Sequence, residues 1–248
     1  MYINRIIPVL LIKNDYLVKT IKFNKETYIG DPVNAVKIFN DKMVDEIFII
    51  DISATKENRE PNFELISRIT RNAFMPLGYG GGIKNVGHVK KLLKIGVEKF
   101  CLNSETLDNP EIIKKISEFC GNQSVVVSID IGQTVFGKKG IYDYRKKRII
   151  KKDYISYIEH VSSLNPGEII INTVYRDGTY LGYDYGLFKE ISEKVKIPII
   201  ALGGASSIND ISKVIEESGV SAASAGSLFV FQGKGKGVLI NYPKSVDL

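Results

Sequence analysis

The stretch VDEIFIID at 44–51 returns as PGEIIINT at 166–173, and MPLGYGGGI at 75–83 returns as IPIIALGGASSI at 197–208. Both pairs stand 122 residues apart in a chain of 248, and CLNSETL at 101–107 meets SAGSLF at 224–229 with a slip of one. An offset of about half the chain implies two copies of one supersecondary block. Each copy alternates short apolar runs with segments of helical period. The runs are RIIPVLLI (5–12), EIFIIDIS (46–53), PLGYG (76–80), KFCLNS (99–104), SVVVSID (124–130), EIIINTV (168–174), PIIALGG (198–204) and AASAGSL (222–228). They are rich in Ile and Val and almost unbroken in apolarity, as parallel strands covered on both faces must be. Between them, DPVNAVKIFNDK offers Asp31 as N-cap and Pro32 in the first turn, NPEIIKKISEFCG an Asn-Pro cap and a stop at Gly121, and INDISKVIEESG a stop at Gly219. Eight such strands with intervening helices predict an α/β protein, a (β/α)8 TIM barrel built from two half-barrel repeats. No linker or shift of composition divides residues 1–248, so one domain is expected.

No apolar run reaches the roughly 18 residues of a membrane span. The N-terminal MYINRIIPVLLIKN is too short and too β-branched for a signal peptide and lacks a cleavage site, so a cytoplasmic location is expected. Cys101 in an apolar strand and Cys120 at a helix end lack metal-ligand spacing, and His88 and His160 both fall in helical segments. No metal and no cofactor is therefore expected. Much of the net charge of +6 lies in GKKGIYDYRKKRIIKKD, 137–153. A solvated hairpin explains it better than nucleic acid, for which no motif is present. A clamp on an anionic substrate or partner is a third reading.

The active site of such a barrel lies at the C-terminal strand ends. There, Gly80, Gly81 and Gly82 close strand 3, Asn103 and Ser104 strand 4, Gly203 and Gly204 strand 7, and Gly226 and Ser227 strand 8. Glycines allow close backbone approach, and amides at loop or helix starts bind anionic oxygens. Two such cradles at repeat-related places suggest a phosphorylated small molecule carrying two phosphates. Asp177 and Gly178, leaving strand 6, make either a second-phosphate contact or a plain turn. At the opposite end Arg5, Glu46, Lys99 and Glu168 begin strands 1, 2, 4 and 6. Two cations and two anions there could pair in a ring, a stability layer on the simplest reading. Aligning strand 1 with strand 5 sets Leu11 against Asp130.

RII...K at 5–13, GDP at 30–32, DEI..IDI.A at 45–54, GGGI at 80–83, KF.LN at 99–103, QSVVVSID at 123–130, DGT.LGYD ending at 184 and PIIA.GGA at 198–205 together resemble the cyclase subunit of imidazole glycerol phosphate synthase. The likeness runs nearly ungapped from about residue 3 to 231. It implies a half-barrel repeat with one phosphate site per half: Gly82, Asn103 and Ser104 for the first, and Asp177, Gly178, Gly204, Gly226 and Ser227 for the second. It implies an ammonia gate of Arg5, Glu46, Lys99 and Glu168, a matching Lys19, and a class I glutaminase partner that sends ammonia through the barrel. Glu98 beside Lys99 is a candidate docking contact. The family's ring-closing chemistry uses an acid and a base, aspartates ending strands 1 and 5. Here Asp130 is the one candidate catalytic residue, the other place holds Leu11, and Leu202 replaces a small hydroxyl residue on strand 7. The tail FQGKGKGVLINYPKSVDL, from 231 with 232–248 atypical, replaces the usual final helix. This ending resembles a divergent branch that passes ammonia to a sugar amidotransferase of surface-polysaccharide biosynthesis. The expectation is therefore an ammonia-channelling barrel with doubtful cyclase activity. The alternatives are an active cyclase of histidine biosynthesis and a non-catalytic phosphate-binding scaffold.

Overall fold

Eight parallel strands close on themselves in the computed structural model, which describes residues 5–233 and 237–243. They are β1 (Arg5–Lys13), β2 (Ile47–Asp51), β3 (Leu77–Gly80), β4 (Lys99–Leu102), β5 (Val125–Gln133), β6 (Glu168–Thr173), β7 (Ile199–Leu202) and β8 (Ala222–Ala225). Each pairs with the next in the chain, and β8 returns to β1 with Ile7 opposite Ser224. Alternation along each strand divides the apolar residues into two cores. Ile7, Val9, Phe48, Cys101, Val126, Ile170, Ile200 and Ala222 fill the lumen. The intervening positions, such as Ile6, Leu10, Ile49 and Ile171, pack outward on the helices. Burial on both faces is why these strands read as unbroken apolar runs.

Each of the seven gaps between successive strands holds one helix of eight residues or more: α1 (Pro32–Asp41), α2 (Phe63–Thr70), α3 (Val86–Lys94), α4 (Ile112–Cys120), α5 (Tyr154–Ser163), α6 (Tyr185–Ser192) and α7 (Ile208–Ser218). Asp31 caps α1 by accepting from Asn34 N–H at 2.8 Å, and left-handed Gly219 ends α7, both as expected from sequence. The Asn-Pro cap expected for α4 does not form. Glu111 occupies the N-cap with no side-chain hydrogen bond, because the chain spends Asn109 and Pro110 leaving the short helix Ser104–Asp108.

Both β1 and β5 continue past the barrel into antiparallel arms. The first arm pairs Tyr16–Ile21 with Asn24–Gly30, and the second pairs the end of β5 with Lys139–Asp143. Their placement four strands apart carries the half-barrel repeat into segments where the sequence shows none. Phe23 at the tip of the first arm meets Tyr142 and Tyr144 of the second edge-on, centroids 5.9 and 5.8 Å away. After β8 only the short helix Ser227–Val230 forms among the described residues. The chain then pairs Phe231–Gln232 with Gly237–Val238 and lays Tyr242 against the barrel wall. The Tyr242 hydroxyl donates to Ile6 O at 2.9 Å, and its ring packs on Phe229 at 5.5 Å. Of the tail singled out in the sequence, 234–236 and 244–248 lie outside the described residues.

Candidate functional site

A cavity of about 430 Å³ opens at the C-terminal mouth, with Leu11, Ile50, Asn103, Asp130, Asn172 and Leu202 in its wall. Asp130 closes the inward row of β5 and is buried. Its two carboxyl oxygens accept from Asn103 Nδ2 at 2.8 Å and Asn172 Nδ2 at 3.3 Å. Burial pushes this carboxyl up to about 7, while the two amide donors pull the other way. Leu11 lies on the opposite wall, in register with Ile50 on β2, and packs with Ile50 and Leu202 on the lumen core. The mouth thus has an apolar collar where a second acid would stand. Asp15 does not fill the gap. It sits exposed in the turn beyond β1 (φ 67°) and is held by Asn62 at 2.8 Å. Asp51, also in the cavity wall, accepts from the amides of Ser53 and Ala54 at 2.9 and 3.0 Å and pairs with Arg59, so it is committed to its own turn.

The two sets of sequence-picked phosphate residues are each brought together. Gly82, Asn103 and Ser104 line the mouth cavity. Asn103 gives its side-chain amide to Asp130, and Ser104 follows it in the cavity wall. Gly81 precedes them at φ +117°, and a Cβ there would strike Asp51, so only glycine fits. Asp177, Gly178, Gly204, Gly226 and Ser227 surround a separate pit of about 20 Å³, room for about one water. Lys19 lies buried beside it, its Nζ on Val9 O at 2.5 Å. Burial lowers this amine to about 8, against the pull of Asp177. Asp177 itself latches the first arm, accepting from Thr20 Oγ1 at 3.1 Å through its side chain and from Lys22 N–H at 3.0 Å through its carbonyl.

At the N-terminal end the four charged residues form a closed alternating ring. Arg5 reaches Glu46 at 3.0 Å and also binds Glu168, and Lys99 reaches Glu46 at 2.8 Å and Glu168 at 2.6 Å. Burial raises Glu46. Burial also opposes ionisation of Glu168, but hydrogen bonds from Arg5 and Lys99 outweigh it and hold that carboxyl low. Glu98 is exposed beside the ring, its N–H bound to Leu77 O at 2.9 Å. A groove of about 780 Å³ runs from Lys99 and Glu168 past Gln123 to Lys196 and Pro198 on the same face.

A family model described as histidine biosynthesis protein matches residues 5–236. The chain belongs to this family. It is 46% identical over 246 residues to a protein of Leptospira borgpetersenii provisionally named imidazole glycerol phosphate synthase subunit HisF, covering 98% of this chain and 96% of that one. A protein of Pseudomonas aeruginosa provisionally named subunit hisF2 is 44% identical, covering 96% and 95%. The imidazole glycerol phosphate synthase subunit HisF of Streptococcus sanguinis is 35% identical, covering 91% and 89%. Among the described residues of this HisF-like barrel, no helix is long and apolar enough to cross a membrane.

Three residues of the site escape a reading of the sequence: Asn172, Thr20 and Asp51. Asn172 was accessible in principle. It stands in register with Asp130 across β5 and β6, so its inward position follows once both strands are aligned. Thr20 acts through a contact of the first arm with Asp177 that no local pattern marks, whereas Asp51 accepts from Ser53 and Ala54 within its own turn.

Proposed function

We propose that this HisF-family barrel conducts ammonia instead of closing an imidazole ring. One observation carries the reading: the ionic ring at the base is fully paired, while Leu11 puts an apolar side chain where the mouth needs a second proton carrier. A class I glutaminase docks on the N-terminal face, with Glu98 and the groove beside Lys99 as contacts. Ammonia released there passes the ring of Arg5, Glu46, Lys99 and Glu168. The lumen of Ile7, Phe48, Cys101, Val126, Ile170 and Ile200 offers no partner for a charged ammonium, so it carries the neutral nucleophile. Asp130, between Asn103 and Asn172, is the carboxyl at the exit. An amidotransferase acting on a sugar of surface-polysaccharide biosynthesis takes up the ammonia. Gly82, Asn103 and Ser104 hold a phosphate at the mouth. Asp177, Gly178, Gly204, Gly226 and Ser227 hold a second only when their pit opens.

Retention of Asp130 with a carboxyl poised near neutrality favours a second reading, a cyclase working with one acid. Loss of a placed acid or base costs typically 10²–10⁴-fold, which separates the two. Purified chain given the cyclase substrate and an ammonium salt is expected to show no ring closure. Turnover near the ordinary enzyme median of about 10 s⁻¹ overturns the conduit reading.

A further inference from the structure

The second arm carries the whole charge imbalance of the molecule. Eight of the 34 Lys and Arg and only two of the 28 acids fall in 137–153, so the rest of the chain holds 26 of each sign. Some of this charge is spent internally. Lys139 pairs with Asp184 at 2.7 Å, Arg145 with Asp108 and Asp143, and Lys146 with Asp143 at 3.6 Å. Lys138, Lys147, Arg148 and Lys151 are exposed or nearly so and form no ion pair among the described residues. At the tip stand Val135 and Phe136, 96% and 95% exposed, in a turn closed by Thr134 N–H on Lys138 O at 2.9 Å. Turn tips ordinarily take Gly, Asn, Asp or Ser, which lose nothing by facing water. A bare Val-Phe pair above a flank of unpaired cations has the composition of an interface: an aromatic anchor with a polar, charged rim.

The position of the arm says what it meets. Its inner strand is β5 itself, which runs on from Asp130 to Gln133, about 10 Å at the usual strand rise. The arm therefore rises from the wall of the mouth cavity, and Tyr144 and Arg145 at its base line that cavity. We propose that this arm docks the ammonia-accepting enzyme, seating Phe136 in an apolar socket ringed by acidic side chains. The acceptor then sits over the mouth, and ammonia crosses without meeting bulk water. Free cations on the flank steer an acidic face into place, which acts mainly on the association rate. This assignment rests on the conduit reading and adds the face, the anchor and the charge of the partner.

The test uses the full chain with its glutaminase. A photo-crosslinking amino acid in place of Phe136 in intact cells is expected to trap an enzyme that consumes ammonia. No adduct, an adduct with RNA, or an adduct with a second copy of this chain overturns the proposal. With the trapped enzyme purified, Phe136→Asp and the triple reversal Lys147→Glu, Arg148→Glu, Lys151→Glu are each expected to lower the ratio of glutamine-driven to ammonium-driven amidation by about tenfold. The reversal variant also loses the salt dependence of the association rate. Unchanged ratios and unchanged affinity in both variants overturn the arm as docking site. If the unaltered complex passes no ammonia from glutamine, the conduit reading fails, and the affinities of the two variants still decide whether the arm binds the trapped enzyme.

Discussion

At position 11 an isobutyl group stands across the mouth from the Asp130 carboxyl, and the two set each other's chemistry. Burial lifts Asp130 to about 7, in a cavity whose wall it shares with Leu11, Ile50 and Leu202. Folding therefore binds this proton more tightly than the unfolded chain does. Stability from this group is fully present below about pH 4 and is lost as pH rises through about 7. The stability of the unaltered chain minus that of Asp130→Asn, by urea unfolding, is expected to fall across that window, by on the order of 4 kcal/mol at most. A ¹³C carboxyl titration should place the midpoint near 7, and a midpoint near 4 contradicts a dry mouth. The sequence made Leu11 and Asp130 legible because strand ends are fixed by the apolar runs before them. The partners of Asp130 are another matter. Asn103 reads as a phosphate residue from its place after β4, yet its side chain turns to the carboxyl, and only strand register shows this.

Elements repeat the lesson. Every barrel strand was visible as a short apolar run, β-branched in β1, β2, β5, β6 and β7, because burial on both faces leaves little choice of residue. The first arm was not. Its tip places Lys22 and Phe23 at φ 52° and 59°, a region bulky residues rarely enter, so no Asn-Gly signal announces the turn. Close approach inside the lumen is specified by Gly78, whose added Cβ would lie within 2.9 Å of Phe48 Cζ and closer still to other ring atoms. Gly78→Ala is expected to destabilise the barrel by about 1–3 kcal/mol, read from a denaturation midpoint. The tail that stands where an eighth helix would lie is held by the amides of Leu239 and Asn241 on Val230 O and Phe229 O, by the Tyr242 ring on Phe229, and by the Tyr242 hydroxyl. Tyr242→Phe removes its bond to Ile6 O and should cost about 1 kcal/mol. A loss much beyond that shows that Tyr242 does more than secure the strap.

For the molecule as a whole, the ring at the base ties four strands from both halves. Lys99→Met leaves Glu46 and Glu168, 4% and 10% exposed in their side chains, with Arg5 as sole counter-charge. Breaking such a buried network costs typically about 3–5 kcal/mol, measurable by urea unfolding. Losing less than about 1 kcal/mol would show that the ring serves passage more than cohesion. The charge types and a paired ring were legible at the strand starts, but that each cation meets both anions was not, since it depends on the stagger of the closed sheet. Arg5 meets Glu168 across 163 residues, and Tyr242 meets Ile6 across 236. Contacts of such separation close late and slowly. During synthesis β1 comes long before β8 and waits, one edge open, until that strand emerges. Only when β8 has left the exit tunnel can the nascent chain seal it to β1. Stalling before β8 emerges therefore leaves an unsealed sheet rather than a slightly shorter barrel.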